Sequence, residues 1–178
     1  MGKNNLFLIL VLILGIVIYI GCKPIEIGEP LATDDTANVI KKTGEINKDE
    51  VWSGTILVEG NVIISKNGSL TIDKGAKIKF AKNAKLIVDG TLYAEGEENR
   101  SITFTSNETA PKPGDWDGII FNESSLNSKM EFCVVQFHNA ILCRSDSLKL
   151  NNCIIAEGSI AGIIFEITSP TIEDNIIT

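Results

Sequence analysis

Asp115 and Asp117 flank Trp116 in the stretch GDWDG. In an extended segment successive side chains alternate, so both carboxylates point one way and the indole the other. Side-by-side carboxylates suit Ca²⁺, a hard cation that takes several oxygen ligands. An exposed indole can stack on a sugar ring. The opposing expectation is that Trp116 packs on the fold and closes a loop while the acids stay in water. His138, in QFHNA, is the only histidine of the chain. A lone His without a Ser or Cys partner makes no triad, and no catalytic role is assigned to it. Asp34 and Asp35 are also adjacent, in a charged stretch where they serve solubility.

The 178 residues carry a net charge of −7, with 44% hydrophobic residues and 6% aromatics. This length suits one domain with appendages. The acidic balance argues against nucleic acid, where affinity comes from Lys and Arg neutralising phosphates. Arg100 and Arg144 are the only arginines, which weakens any role in bidentate anion capture.

The first residues are set apart from the fold. MGKNN supplies a positive leader, and Leu6–Ile20 is an unbroken apolar run of 15 residues. A membrane span needs ~20 such residues, so the run has the size of a signal-peptide core. It ends in YIGC, which resembles a bacterial lipoprotein signal. Gly21 and Cys22 match that pattern, whereas Tyr19 stands where the family usually has Leu. The resemblance implies that Cys22 is the lipid-attachment site. The chain is then tethered in the cell envelope, facing outside the cytoplasm. Residues 1–22 form the signal, and 23–50 a linker in which VIKKTGEI is a candidate capping strand. The repeat domain spans 51–178.

From Val51 the sequence becomes short pieces of period-2 alternation punctuated by Gly and Asn, a strand signature. The pieces repeat at an offset of 22. Ile56 meets Ile78, Val58 meets Phe80, Ile64 meets Leu86, Gly68 meets Gly90 and Leu70 meets Leu92. Further on, Gly118 meets Ala140 and Gly162, Ile119 meets Ile141 and Ile163, and Phe121 meets Cys143 and Phe165. Phe132, Ile154 and Ile176 make a fourth file. One unit of this length cannot bury its own apolar side, but stacked units bury a continuous column. The expected fold is all-β: a parallel β-helix of about 22-residue rungs, with Asn and Gly at the corners. A leucine-rich repeat would need a Leu/Asn frame and a helical return. A sandwich has no reason to keep a constant offset.

WSGTILVEGNVIISKNGSLTIDKGAKIKF, KLIVDGTLYAEG, ITFTS and GDWDGIIF resemble bacterial surface proteins with right-handed parallel β-helix repeats of the pectate-lyase-like fold. That fold hosts lyases, hydrolases, adhesins and structural proteins, so it implies architecture rather than activity. Right-handed crossovers also follow the general rule for parallel strands. The expected role is structural, adhesive or carbohydrate-binding. The alternative is a fragment of a polysaccharide lyase or glycoside hydrolase. A hydrolase would need paired acids on neighbouring rungs, yet Asp146 aligns with Ser124 and Thr168, and Asp174 with Asn152 and Met130.

Thr105–Gly118 is rich in Pro, Gly, Asn and Asp and reads as a loop leaving the coil and returning at Trp116. Trp52 reads as a lid over the first rung. Cys133, Cys143 and Cys153 are spaced ten apart, which fits no zinc or thioredoxin pattern. The 22-residue offset aligns Cys133 with Ile155, leaving Cys153 two residues away and ~8 Å off. That is beyond disulfide reach, so three free thiols are expected. Thr178 falls inside a strand with no polar cap after it, and truncation at the C-terminus is expected.

Overall fold

The computed structural model describes residues 39–178. Leu6–Ile20, Cys22 and Asp34–Asp35 lie outside them. The strands follow one another with no helix among the described residues. The first five are β1 (Ile40–Ile46), β2 (Asp49–Trp52), β3 (Thr55–Ile64), β4 (Ser69–Ile72) and β5 (Lys77–Phe80). Next come β6 (Lys85–Val88), β7 (Thr91–Glu95), β8 (Ile102–Ser106) and β9 (Trp116–Phe121). Then come β10 (Lys129–Glu131), β11 (Cys133–Gln136), β12 (His138–Cys143) and β13 (Lys149–Asn151). The last are β14 (Ile154–Ala156), β15 (Ile163–Phe165), β16 (Thr171–Glu173) and β17 (Ile176–Ile177). The VIKKTGEI segment thus supplies β1, which pairs parallel with β3. The paired coil starts at Ile40, within the stretch set aside as linker.

All strand pairs are parallel, as a coil requires, and the chain makes about six turns of about 22 residues. Strand β3 is long enough to turn a corner. Its first half pairs with β5 and begins the file β3-β5-β8-β11-β14-β17. Its second half pairs with β6 and begins the file β3-β6-β9-β12-β15. The third face is the sheet β2-β4-β7-β10-β13-β16. Inward side chains of the three faces meet in one column. Ile56, Ile78, Phe104, Val135 and Ile155 stack in register, and all are buried. Each buried residue of this size contributes about 2 kcal/mol.

Ile119, Ile141 and Ile163 stack at the expected offset of 22, as do Ile56 with Ile78 and Leu70 with Leu92. Other steps differ. Leu86 lies on Val62 rather than Ile64, a step of 24. Between β11 and β14 the step is 20, so Ile154 lies on Val134 and not on Phe132. Ile176 lies on Ile154 at the expected step of 22, but Phe132 is not part of that file and the file is not buried. Ile154 and Ile176 face solvent, and Phe132 sits half-buried at a corner. The cause is the corner lengths. Seven residues separate β9 from β10, but five separate β12 from β13. The two residues return further on, because seven lie between Ile155 and Ile163 where five lie between Val135 and Ile141. The turn keeps its length while the faces shift within it.

In the last three rungs the corner between the third face and the first turns on one left-handed residue. Phe132, Asn152 and Asp174 occupy it with φ of 47°, 53° and 54°. Asn and Asp tolerate this conformation, whereas Phe is unusual there. Ile167 is a clearer violation: a β-branched residue at φ 52° with its side chain fully in water. Left-handed geometry costs an ordinary residue about 1 kcal/mol, and no packing offsets it here. Ile167→Asn should therefore raise stability by about 1 kcal/mol, read as a higher urea midpoint.

Candidate functional site

The loop 107–115 leaves β8 and returns at β9, so Thr105, Ser106 and Trp116–Gly118 belong to strands. Asp115 is the last loop residue, and its carboxylate turns back on the loop. One oxygen accepts the Ser106 hydroxyl at 2.7 Å and the Lys112 N–H at 2.9 Å. The Lys112 N–H, and then the Ser106 hydroxyl, hold this carboxyl below the usual aspartate value. The Asp115 backbone is pinned as well, accepting from Asn83 N and donating to Phe137 O. Asp117 leaves in another direction, pairing with Lys85 at 2.6 Å and accepting the Asn139 amide at 3.2 Å. The two carboxylates therefore clasp different parts of the coil. Among the described residues no group of three His, Cys, Asp or Glu is placed to hold a metal ion.

Trp116 is fully buried. Its ring stacks on Phe80, with centroids 4.0 Å apart and planes 7° apart, and its N–H donates to Gln136 O at 2.8 Å. It presents no face to a sugar ring. Trp52 is likewise buried, with its N–H on Glu50 and Lys42 over its ring.

His138 opens β12 and is wholly buried, 5.8 Å from the Trp116 ring. Its Nε2 faces Gly162 O at 3.2 Å. A carbonyl only accepts, so Nε2 carries the proton and donates. Nδ1 then has a lone pair without a partner. Burial pushes the imidazole below its ordinary value of 6.5. The unfolded chain thus takes up the proton first as pH falls. The stability held by neutral His138 is complete above pH 6.5 and is lost as the pH drops below it. The shifted carboxyls of Glu50, Glu97, Asp115 and Asp146 are all lowered, from 4.5 or 3.8, and act only at lower pH. A fall in thermal midpoint between pH 7 and pH 5 should therefore vanish in His138→Gln.

The most distinctive surface lies elsewhere. On the outer side of the second file, Ile63, Ile87, Ile120, Leu142 and Ile164 stack in register. All five are half-buried. Four strand spacings make a strip about 19 Å long. A shallow pocket of about 300 Å³ lies on it, lined by Ile120, Leu142, Ile160 and Ile164 with Lys85, Asp117 and Asn139 at its edge. Along the other margin a polar ladder occupies the position just after each strand. Asn122 donates to Asp89 at 2.8 Å, and Arg144 donates to Asn122 at 3.1 Å and to Glu166 at 2.7 Å. A groove of about 530 Å³ continues past Arg144, bounded by Glu123, Leu126, Asp146, Glu166 and Ile167. The Ser169 N–H and the Thr168 hydroxyl lower the Asp146 carboxyl.

An aliphatic floor between rows of carboxylate, amide and guanidinium groups offers apolar contact and directed hydrogen bonds together. None of the expected site residues except Asp117 borders this floor. Its signal in the sequence is a failure of alternation: VII, LIV, IIF, ILC and IIF are apolar at three consecutive positions, so the outward residue is apolar too.

A family model described as a pectate-lyase like beta helix domain matches residues 44–135, just over half of the 178 residues. No curated protein and no solved structure matches the chain. The matched stretch runs from β1 into β11, through the rungs that carry most of the buried column. By its stacked parallel rungs and by this match, the chain belongs to the pectate-lyase-like β-helix family.

Proposed function

We propose that this protein is an envelope-anchored surface β-helix with an adhesive, carbohydrate-binding role and no catalysis. A lipid on Cys22 tethers it to a membrane outside the cytoplasm. The binding surface is the outer side of the second file. The observation behind this reading is the in-register strip Ile63–Ile87–Ile120–Leu142–Ile164 with its polar margins. Contiguous exposed apolar area rimmed by polar groups marks interaction sites in soluble domains. Sugar rings carry C–H faces and hydroxyl edges, which suit an aliphatic floor and a row of Asp, Asn and Arg. The coil itself is a rigid support for such a surface.

Two measurements test the reading. The full chain on a glycan array, with and without Ca²⁺, should bind at least one polysaccharide class. Leu142→Glu should weaken that binding at least tenfold, or about 1.4 kcal/mol, while the thermal midpoint moves little because the side chain is only half-buried. Binding to no saccharide under either condition removes the carbohydrate role. Radioactive palmitate should label the wild-type chain and not Cys22→Ser; label persisting in the variant rejects that residue as the anchor.

A further inference from the structure

The thiols are arranged differently from the expectation of a two-residue stagger. Because Val134 lies on Ile154, Cys133 and Cys153 are direct neighbours on successive rungs. Both point inward and are 1% exposed, and all three core cysteines are free. Neighbouring parallel strands lie ~4.8 Å apart, inside the 4.4–6.8 Å Cα range of disulfides. The Cys133 N–H donates to the Cys153 sulfur at 3.4 Å. The Cys133 thiol lies 3.2 Å from Ala94 O, and the Cys153 thiol 3.2 Å from Asn151 O. Cys143 is in another file, between Phe121 and Phe165, with no cysteine beside it.

We propose that Cys133 and Cys153 are a redox-active pair, which a small-molecule disulfide converts to an intrachain disulfide clamping β11 to β14. Cys153 is the attacking sulfur, since it receives hydrogen bonds from Cys133. The same contacts lower its pKa, while burial raises that of Cys133. The Cys153 thiolate attacks one sulfur of the external disulfide and expels the first thiol, which takes up the proton that Cys153 released. Cys133 then gives up its proton and attacks Cys153 Sγ, breaking the mixed disulfide and releasing the second thiol. Two protein thiols become one disulfide, and the external disulfide becomes two thiols. The file Ile102–Cys133–Cys153 continues to Asn175, whose side chain accepts from Cys153 N at 2.8 Å and donates to Leu150 O at 2.7 Å. Cys153 and Cys133 react when the coil opens locally around this file, because both are otherwise covered.

The test is equilibration of the full chain with reduced and oxidised glutathione, alkylation, digestion and mass mapping. The expected product is a Cys133–Cys153 linked peptide with Cys143 alkylated. The linked chain should melt about 5 °C or more above the reduced chain, since a 20-residue loop is closed. That shift should survive Cys143→Ala and disappear in Cys133→Ala. The proposal is overturned if, in a buffer that oxidises dithiothreitol, Cys133 and Cys153 remain alkylatable or carry only glutathione. A link to Cys143 overturns it equally. The mapping uses the wild-type chain, so its outcome does not depend on how a variant folds.

Discussion

Gly118→Ala is expected to be the most damaging addition of a single methyl group to this coil. Gly118 stands at φ +108° in β9, directly on Ala140 of β12. A Cβ there would lie 1.9 Å from Ala140 O and 2.9 Å from its carbonyl carbon. Both are backbone atoms of the next rung, and neither can move without breaking the β9–β12 pairing. Two effects add. The left-handed conformation costs an L-residue about 1–2 kcal/mol. Forced overlap in a packed interior costs about 1–3 kcal/mol or more. A loss of about 4 kcal/mol would be a large share of a typical domain's 5–15 kcal/mol. Urea titration by circular dichroism should show the midpoint collapse. Gly44→Ala is the matched control, because it shares a positive φ of 91° but meets nothing within 4 Å. It should lose only the conformational part, about 1–2 kcal/mol. Equal losses in the two variants would show that crowding between rungs is not what Gly118 relieves.

Trp116→Ala is expected to be at least as damaging. The indole is fully buried, stacked on Phe80 and bonded to Gln136 O. Truncating such a ring costs about 3–5 kcal/mol, and the orphaned Gln136 carbonyl adds about 1 kcal/mol. Trp116→Phe keeps a ring over Phe80 and loses only the N–H donor and some volume, so it should cost about 2 kcal/mol. This gradation, measured as denaturant midpoints, separates a core role from a surface binding role. A ligand-contacting Trp on the surface would change stability by about 0.5 kcal/mol at most in either variant.

The coil was legible wherever a file combined inward alternation with a full turn of 22 residues. Ile119, Ile141 and Ile163 satisfy both conditions, as do Ile56 and Ile78. Phe132 does not stack under Ile154, because residues move from one corner to another while the sum stays near 22, and Ile154 and Ile176 stack in register but face outward. A repeat period fixes the length of a turn but not how it is shared among three faces. The same two-residue displacement separates Cys133 from Cys153 in the repeat alignment and joins them in the fold; the thiols are free, but not for lack of proximity. Asp115 and Asp117 fail to converge because the rule for extended segments does not reach Asp115, which belongs to a loop. The aliphatic strip was hidden for another reason. Consecutive apolar residues such as Ile119, Ile120 and Phe121 read as core, and only the strand geometry shows that the middle one faces out.

Both the strip and the buried column rest on one claim, that every turn of chain advances one strand spacing along the coil axis. Spin labels at Ile63 and Ile164 test it most directly. These positions are 101 residues apart in sequence but four strand spacings apart in the file β3-β6-β9-β12-β15, or about 19 Å between backbones. Pulsed electron–electron resonance should give a single narrow distribution centred at about 20–25 Å once label linkers are included. A broad distribution, or a centre beyond about 35 Å, would contradict the stacked-rung geometry.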